Sequence, residues 1–229
     1  MRTAAYCGTR NLYADMVTAA KSLLYHNGAD RVVFLIEDDV FPYDLPNNVK
    51  TINVSGQKWF DPHGPNFYTQ WTYMSLMRLA LTKILPQDDR VLYLDVDTIV
   101  NGDLSELWNL DLTGYYIAGA RELYWTEKLG RLYVNAGVLM MNLKKLREDG
   151  MDDRIIELIN TRPSDFPDQH LMNECCAGHI LRFTCEYNAN DWTGRPPNDF
   201  QVKIYHFAAV NPWNQLPQVQ KYRELPWPE

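Results

Sequence analysis

The sequence predicts an α/β fold in which helices cover both faces of a mainly parallel central sheet. Short apolar runs of strand-forming residues recur along the chain, and segments with the apolar spacing of helices separate the first of them. The predicted strands are residues 3–7, 31–36, 49–54, 90–95, 115–120, 137–142 and 202–207, and the predicted helices are residues 12–27 and 69–85. A chain of 229 residues without an internal repeat or a linker favours one Rossmann-like domain over residues 1–229.

Composition argues against several classes of partner. The formal net charge is −7 and no basic stripe is visible, which disfavours nucleic acid. Because no run reaches the roughly 18 apolar residues of a membrane span, we expect no integral membrane segment. The four cysteines, Cys7, Cys175, Cys176 and Cys185, lack the paired spacing of a zinc site. Together with an N-terminus that enters a strand directly, they predict reduced thiols in a cytoplasmic protein.

The stretch RVLYLDVDTIVNG, residues 90–102, carries the strongest chemical signal. Asp95 and Asp97 project to the same side of an extended chain at the end of a predicted strand, where α/β sheets bind ligands. Two neighbouring carboxylates repel each other unless a cation lies between them. We therefore predict a site for Mg²⁺ or Mn²⁺, which would in turn bind a substrate diphosphate. The structural alternative is that Asp97 caps the turn into Thr98 while Asp95 pairs internally.

Other polar residues lie near or just after the ends of predicted strands. His206 could complete the metal site through a neutral imidazole nitrogen, a ligand that favours Mn²⁺ over Mg²⁺, or it could simply be hydrogen-bonded. Thr9 and Asn11 are suited to hydrogen bonds with a nucleotide base or ribose, and Tyr13 or Leu12 would lie against the base. Asn11 could also serve as the N-cap of the next helix.

Arg78 lies among apolar residues of the predicted helix 69–85. A guanidinium in that setting needs an anionic partner, and Asp95 or a bound phosphate would provide one. The alternative is a solvated helix face.

At this point the sequence resembles a known family. RVLYLDVDTIVNGDLSELW is strongly similar to the metal-binding segment of the glycogenin-like, family 8 glycosyltransferases, retaining enzymes of the GT-A fold that use nucleotide sugars. Five further segments match in the family's order: YCGTRNLYADMVTAAKSLL, MRLAL, YVNAGVLMMNLKKLR, FPDQHLMNE and IYHFAAVNPWN. The resemblance implies a single GT-A domain with a nucleotide-binding half near residues 1–100, an acceptor-side half near 101–210 and a Pro-rich tail, 211–229.

The resemblance also implies roles for individual residues. The ligands of Mn²⁺, or of Mg²⁺, would be Asp95, Asp97 and His206. Catalysis would involve Arg78, Asp168 and Gln169, with Asp168 bonded to hydroxyls of the donor sugar and Gln169 near the reacting anomeric carbon. Donor contacts would come from Thr9, Asn11, Tyr13, Arg78, Val96, Asn135, Ala136, Asp168 and Asn211. For Asp168 the alternative is simple capping of a helix.

Two departures from the family pattern bear on the donor. The segment HFAAVNPW has alanines, and Asn211 stands where the family has a lysine that binds the diphosphate. Another cation, Lys203, Arg195 or Arg131, could supply the missing positive charge. Alternatively, activation of the diphosphate leaving group could depend more heavily on the metal. In GTRN an acidic residue is missing, so recognition of uridine by Thr9 is less secure than by a carboxylate.

The expected function is metal-dependent transfer of a hexose from a nucleoside-diphosphate sugar, foremost a UDP-hexose, to a hydroxyl of a glycan or other acceptor, with retention. An inverting enzyme would need a carboxylate base, for which Asp191 and Asp61 are candidates. The aromatic residues suited to stacking on an acceptor sugar are Trp59, Tyr124, Trp125 and Trp192. The alternatives are a non-catalytic sugar-nucleotide-binding protein, a phosphatase of the haloacid-dehalogenase type and a sugar-nucleotide pyrophosphorylase. The Pro-rich end could also be a junction within a larger chain.

Overall fold

A seven-stranded sheet forms the centre of the molecule. The computed structural model of the chain describes residues 1–69 and 71–228. Within these residues the strands are β1 (Thr3–Cys7), β2 (Arg31–Ile36), β3 (Val49–Asn53), β4 (Val91–Leu94), β5 (Thr98–Val100), β6 (Ile117–Arg121), β7 (Val134–Met141), β8 (Ile180–Phe183) and β9 (Ile204–His206). The α-helices are α1 (Tyr13–Tyr25), α2 (Leu81–Ile84), α3 (Ser105–Trp108), α4 (Leu123–Leu129), α5 (Leu143–Glu148), α6 (Met151–Thr161), α7 (Pro167–Cys175) and α8 (Pro217–Glu224). The 3₁₀ helices are Arg10–Leu12, Tyr73–Ala80, Cys185–Tyr187, Asp199–Gln201 and Trp213–Gln215.

The strand order β3-β2-β1-β4-β7-β6-β8 confirms the predicted mainly parallel sheet. Parallel pairs join β3 to β2, β2 to β1, β1 to β4 and β6 to β8. Among the seven strands of this sheet, β7 alone is reversed, because it pairs antiparallel with β4 and with β6. The carboxyl ends of the other six strands therefore share one edge, which is where α/β folds bind ligands.

The reversal of β7 brings its first residues to that edge. β7 runs antiparallel to β4 with Val138 opposite Leu94. Just beyond this pair, the N–H of Asp95 donates to the carbonyl of Gly137 at 2.8 Å. The amino end of β7, including Asn135, therefore lies beside the carboxyl end of β4.

The sheet is buried on both faces, as the fully apolar strands predict. In β4, Val91 and Tyr93 pack into one hydrophobic cluster and Leu92 and Leu94 into another, and all four are fully buried. The first cluster includes residues of α5, α6 and α7, and the second includes residues of α1 and α3. The prediction of helices on both faces is thus confirmed.

A second, two-stranded antiparallel sheet pairs β5 with β9 and sets Thr98 opposite His206. Behind it, a third cluster unites Ile99 and Phe207 with Val219 and Tyr222 of α8, which packs on α1. The predicted Pro-rich tail therefore includes a packed helix; its last residue, 229, lies outside the described part.

Several elements of the structure differ from the sequence prediction. The predicted helix 69–85 is instead a 3₁₀ helix, Tyr73–Ala80, followed by the short α2, and residue 70 lies outside the described residues. Met74, Met77 and Ala80 are buried at a spacing of three, which suits the three residues per turn of a 3₁₀ helix. Strands β5 and β8 were not predicted, because strands of three and four residues depend on their pairing partners more than on local pattern.

Among residues 1–69 and 71–228, no helix combines the length and the apolar character that crossing a membrane requires.

Candidate active site

A cleft of about 370 Å³ opens where β4 ends and β7 begins. Its lining consists of Trp71, Ser75, Arg78, Asp95, Asp97, Glu122, Trp125, Asn135, Ala136, Gly137, Phe166, Asp168, Gln169, Trp192, His206, Ala208 and Ala209. Eight residues that the sequence predicts for the site are in this lining: Arg78, Asp95, Asp97, Asn135, Ala136, Asp168, Gln169 and His206. The fold thus joins the predicted metal ligands to the predicted sugar contacts.

Backbone pairing holds the three predicted metal ligands together. Asp95 follows β4, and the hydroxyl of Thr98 donates to its carbonyl at 2.7 Å, which tightens the turn through Asp97. The carbonyl of Asp97 accepts from the N–H of Phe207 at 2.9 Å, so the ends of β5 and β9 are joined. Nε2 of His206 consequently lies 3.4 Å from an oxygen of Asp97 and 3.9 Å from an oxygen of Asp95.

This cluster has the chemistry of a divalent-metal site. One ligand atom from each of Asp95, Asp97 and His206 lies within 4.8 Å of the others. Although burial lowers the pKa of the His206 imidazole, the carboxylate of Asp97 outweighs it and raises the pKa above its ordinary value. Burial likewise raises the pKa of Asp97, but the His206 ring outweighs it and lowers that pKa. Both shifts mean that the site attracts positive charge, and two carboxylates with an imidazole fit Mn²⁺.

Gly137 gives the His206 ring its space. A Cβ at position 137 would come within 2.1 Å of Cε1 of His206, closer than any side-chain atom can approach. Glycine is therefore required here by a close approach of ring to backbone.

Arg78 binds several groups at the floor of the cleft. Its guanidinium donates to Asp95 at 2.8 Å and lies 3.1 Å from Asp168. It also donates to the carbonyl of Ala136 at 2.7 Å, and its charge lies over the ring of Tyr93, 4.5 Å from the centroid. Burial lowers the pKa of Arg78, but the two carboxylates raise it well above its ordinary value. The anionic partner that the sequence required is therefore Asp95 together with Asp168.

Asp95 can serve Arg78 and a metal at once. Its Oδ1 accepts from Arg78 and from the hydroxyl of Tyr93, the latter at 2.7 Å. Its Oδ2 is the atom that faces His206. The internal pairing of Asp95, considered as an alternative to metal binding, thus coexists with a metal-facing oxygen, Oδ2, which accepts only a long hydrogen bond of 3.5 Å from Arg78.

Gln169 is held by two partners at the start of α7. Its Oε1 accepts from the N–H of Ala136 at 2.9 Å, and its Nε2 donates to Glu122 at 2.8 Å. Glu122 is buried, which raises the pKa of its carboxyl group, while hydrogen bonds from Gln169 and Asn135 partly oppose that rise. Burial also raises the pKa of the neighbouring Asp168, against the charge of Arg78.

Three residues predicted to contact the nucleotide lie near the end of β1, outside the cleft lining. The hydroxyl of Thr9 donates to Oδ1 of Asn11 at 2.5 Å. Tyr13 is only 1% exposed; its ring packs on Phe41 with centroids 4.9 Å apart, and its hydroxyl donates to Asp38 at 2.9 Å. The Tyr13 ring is thus enclosed by protein, not presented to a ligand.

Leu12 and Val96 are half-exposed apolar residues at this end of the sheet. A Cβ at Gly8 would lie 3.3 Å from Leu12 and 3.5 Å from Val96, so both border the end of β1. Glu37 and Asp38 directly follow β2 and are half-exposed at the same edge. Carboxylates are therefore present near Thr9, although the segment GTRN contains none.

None of the three cations considered as substitutes for the family lysine lines the cleft in the described part of the chain. Arg195 pairs with Asp191 at 3.4 Å, and Arg131 donates to the carbonyl of Asn173 at 3.0 Å. Lys203 directly precedes β9 and lies beside Gly102. Asn211 is exposed and also outside the lining, whereas Ala209 lines the cleft with a φ of +59°, a backbone conformation that glycine adopts more readily than alanine.

A second recess of about 450 Å³ adjoins the cleft and shares Glu122, Trp125, Phe166 and Trp192 with it. Leu123, Tyr124 and Asp191 complete its lining. Three of the four aromatic residues predicted to stack on an acceptor therefore border this recess; Trp59 instead packs against the first hydrophobic cluster. Of the two candidate bases for an inverting enzyme, Asp191 borders the recess and Asp61 borders neither cavity.

Sequence reasoning missed Glu122, Trp71, Asn188 and Asn190. Glu122 and Trp71 line the cleft, and the two asparagines lie behind His206. Glu122 follows an apolar strand just as Asp95 does, and that position was the available signal. For the asparagines the irregular segment around residues 185–195 gave no comparable signal.

The comparison that decides the family is the match of the chain to a sequence profile, glycosyl transferase family 8, over residues 4–216. The chain belongs to this family. The glycosyltransferase GlyA of Streptococcus pneumoniae is 28% identical over 235 residues, 94% of this chain and 33% of GlyA. The chain spans less than half the length of several curated relatives, 42, 33 and 30% of three of them.

Solved structures of glycosyltransferases share the fold. The crystal structure of GlyE from Streptococcus pneumoniae superposes with a TM-score of 0.75 at 22% identity, covering 99% of this chain and 61% of GlyE. The galactosyltransferase LgtC, solved with donor and acceptor sugar analogues, gives a TM-score of 0.69 at 20% identity, covering 96 and 95% of the two chains. The predicted family resemblance and the GT-A fold are confirmed.

Proposed function

We propose that this family 8 protein is a metal-dependent hexosyltransferase that moves a hexose from a UDP-sugar to a hydroxyl of a glycan or other acceptor. The observation that carries metal dependence is the charge of the cleft. Four carboxylates, those of Asp95, Asp97, Glu122 and Asp168, line it with one guanidinium, that of Arg78. Since Arg78 already pairs with Asp95 and Asp168, a diphosphate would meet net negative charge unless a divalent cation bound first.

The ligands of that cation would be Oδ2 of Asp95, a carboxylate oxygen of Asp97 and Nε2 of His206. The mixed oxygen and nitrogen donor set favours Mn²⁺, with Mg²⁺ as the alternative. When bound, the ion supplies positive charge that stabilises the departing diphosphate. Because no lysine or arginine other than Arg78 lines the described cleft, we propose that the ion also compensates for the missing family lysine.

The chain's own residues would orient the donor sugar. Arg78 fixes Asp168 and the backbone of Ala136 in one network, so both face the same volume. We propose that Asp168 accepts hydrogen bonds from sugar hydroxyls. The amide of Gln169 is held by hydrogen bonds to Ala136 and Glu122. It would lie against the anomeric carbon of the donor and position the substrate without acting as a nucleophile.

At the other end of the donor, the half-exposed Leu12 and Val96 would contact the base and ribose. Thr9 and Asn11 would contribute hydrogen bonds beside them. The carboxylates of Glu37 and Asp38 would replace the acidic residue that GTRN lacks and accept from the N–H of uracil. A nucleotide panel tests this proposal: UDP should bind more tightly than CDP, whose base has no such N–H, and Asp38→Asn should reduce the difference.

The acceptor sugar would occupy the recess beside the cleft. Trp125, Trp192 and Tyr124 offer aromatic faces for the apolar side of a pyranose, and Glu122 and Asp191 offer acceptors for its hydroxyls. Each carboxylate of the cleft itself is bonded to Arg78, His206 or Gln169. Asp191 is thus the remaining candidate for the base that an inverting enzyme would need. We nevertheless propose retention, which is the outcome that the family resemblance implies. An inverted anomer in the NMR spectrum of the product, abolished by Asp191→Asn, would contradict retention.

We further propose that residues 1–229 act as one catalytic domain in the cytoplasm, where the free thiols of Cys7, Cys175, Cys176 and Cys185 would stay reduced. The greater length of several relatives is compatible with a larger chain. Cell fractionation tests the compartment, and limited proteolysis tests whether residues 1–229 resist cleavage as one unit.

The deciding experiment is a calorimetric titration of UDP with and without Mn²⁺. We expect binding to require Mn²⁺ and to weaken at least tenfold, about 1.4 kcal/mol, in Asp97→Asn. The exposed Asp44→Asn serves as the control that should bind as the wild type does. Binding indifferent to Mn²⁺ would overturn the metal-dependent function, and metal-dependent binding without hydrolysis or transfer of any UDP-hexose would favour the non-catalytic alternative.

A further inference from the structure

A buried chain of three asparagine amides lies behind His206, on the side away from the carboxylates. Asn135, Asn188 and Asn190 are 6, 0 and 1% exposed. Oδ1 of Asn188 lies 2.8 Å from Nδ1 of His206. Since a buried amide must satisfy both its oxygen and its nitrogen, the partners of this chain fix which way each amide points.

The first end of the chain is fixed by a backbone donor. The N–H of Gly137 donates to the side chain of Asn135 at 3.0 Å, so the receiving atom is the oxygen Oδ1. The same oxygen lies 3.1 Å from the side chain of Asn188, which must therefore present its nitrogen there. Consequently the other side-chain atom of Asn188, which faces His206, is its oxygen.

The second end is fixed in the same way. The N–H groups of Trp192 and Thr193 both donate to Oδ1 of Asn190, at 2.8 and 3.0 Å. The nitrogen of Asn190 is therefore directed toward Asn188, where it donates to Oδ1 at 2.9 Å. Two independent backbone anchors thus give the same orientation for Asn188.

The nitrogen of Asn190 also lies 3.2 Å from Nδ1 of His206, but its two hydrogens are directed to Oδ1 and to the backbone carbonyl of Asn188, at 2.9 and 3.3 Å. Nδ1 of His206 therefore donates to the nearer oxygen of Asn188. In the neutral ring the proton is on Nδ1 and the lone pair is on Nε2, the atom that faces Asp95 and Asp97. We propose that Asn188 is a positioning residue: it fixes the tautomer and the ring orientation in which His206 binds the divalent cation. The proposal rests on the metal site proposed above, and it follows the general use of outer hydrogen bonds to orient metal-binding imidazoles.

A pair of substitutions isolates the oxygen that faces His206. Asn188→Leu and Asn188→Asp both lose the hydrogen bond donated to Asn135, but only Asn188→Leu loses the acceptor for Nδ1. We expect the Kd for Mn²⁺, measured by calorimetry without nucleotide, to rise about 10- to 100-fold in Asn188→Leu. Asn188→Asp should stay within about threefold of the wild type or bind more tightly, because it keeps the acceptor.

A spectroscopic measurement tests the tautomer directly in the metal-free wild type. Long-range ¹H–¹⁵N NMR at alkaline pH, with the His206 signal assigned by its loss in His206→Gln, should show the proton on Nδ1. A proton on Nε2 would overturn the inference even if Asn188→Leu did not fold. Equal Mn²⁺ affinities in the wild type and Asn188→Leu, or equal losses in both variants, would overturn it too. A wild type that binds no Mn²⁺ but has the proton on Nδ1 would instead contradict the proposed metal-dependent function.

Discussion

The metal edge and the aromatic recess of this protein are built in opposite ways. At the metal edge, which comprises Arg78, Asp95, Asp97, Asp168 and His206, ion pairs join Arg78 to Asp95 and to Asp168, and His206 to Asp97. In the recess next to it, Tyr124 and Trp192 are 62 and 42% exposed, and Asp191 is held by a long contact to Arg195. Two surfaces that share Glu122, Trp125, Phe166 and Trp192 thus differ in how completely they are organised before a substrate arrives.

This difference follows from what each surface would have to recognise. Stabilising charge on a diphosphate requires groups held in place in advance, because reorganising them during the reaction would cost free energy. An aromatic face can accept a sugar over a range of positions, since apolar contact depends little on direction. Substitutions at the metal edge should therefore affect folding and metal binding together, whereas substitutions in the recess should affect acceptor binding alone.

The largest effect on stability is expected from removing the guanidinium group of Arg78 from the metal edge. Arg78→Met leaves the carboxylates of Asp95 and Asp168 buried without their partner, and we expect the free energy of unfolding to fall by about 3–5 kcal/mol. Urea denaturation measures this loss. The control is Arg154→Met, which breaks a surface pair with Glu157 at 2.9 Å and should cost no more than about 1 kcal/mol. Equal losses in the two variants would show that the edge is not preorganised.

Gly137→Ala should disturb the same edge sterically. The new methyl group would occupy the space of Cε1 of His206, so the ring or the backbone of β7 must shift, at about 1–3 kcal/mol of stability. We expect weaker Mn²⁺ binding in calorimetry and a lower Tm. Gly56→Ala is the matched control, since a Cβ there meets no atom within 4 Å. Unchanged Mn²⁺ affinity in Gly137→Ala would show that the position of the His206 ring does not affect metal binding.

In the recess, Trp192→Ala should act on the acceptor only. Loss of the indole face should raise the KM for a glycoside acceptor about tenfold, roughly 1.4 kcal/mol. The rate of donor hydrolysis without acceptor should stay within about twofold of the wild type. Phe200→Ala removes an aromatic side chain that is 80% exposed and borders neither cavity, so it controls for general effects. A parallel loss of donor hydrolysis would mean that the two surfaces are not separable.

The sequence predicted the metal edge better than the recess, for a physical reason. Asp95 and Asp97 follow β4, and the carboxyl ends of strands in a parallel sheet have a known place. His206 is the last residue of β9 in the small antiparallel sheet, and its signal was its position near the end of a predicted strand. The amino end of β7 could not be located in the same way, since nothing in its apolar run signals that it is reversed. Its position beside β4 was not predicted, and the roles predicted for Asn135 and Ala136 came from the resemblance to the family and not from periodicity.

Residues that act through tertiary contacts were beyond local pattern. Tyr13 has an aromatic ring suited to stacking on a base, but packing against Phe41 encloses this ring, and no local sequence pattern predicts that contact. Arg78 was expected on an α-helix and lies on a 3₁₀ helix, yet its pairing with Asp95 was anticipated because a buried charge needs a partner. The prediction based on the free-energy cost of burying an unpaired charge was thus correct although the predicted secondary structure was wrong.

Glu122, which both surfaces share and the sequence reasoning missed, gives the smallest but most specific prediction. Burial raises the pKa of its carboxyl group in the folded protein. Any stability linked to this group is therefore complete below its unfolded pKa and is lost as the pH rises through the higher folded pKa. Glu122→Gln is neutral at every pH and can still accept from Gln169, so its stability relative to the wild type should improve from pH 4 to pH 8. Thermal unfolding across this range measures the trend, with the exposed Glu148→Gln correcting for the loss of one negative charge. A relative stability that fell with rising pH would mean that the charged form of Glu122 is favoured by its surroundings, and Glu122 would then belong to the preorganised metal edge instead of to the boundary between the two surfaces.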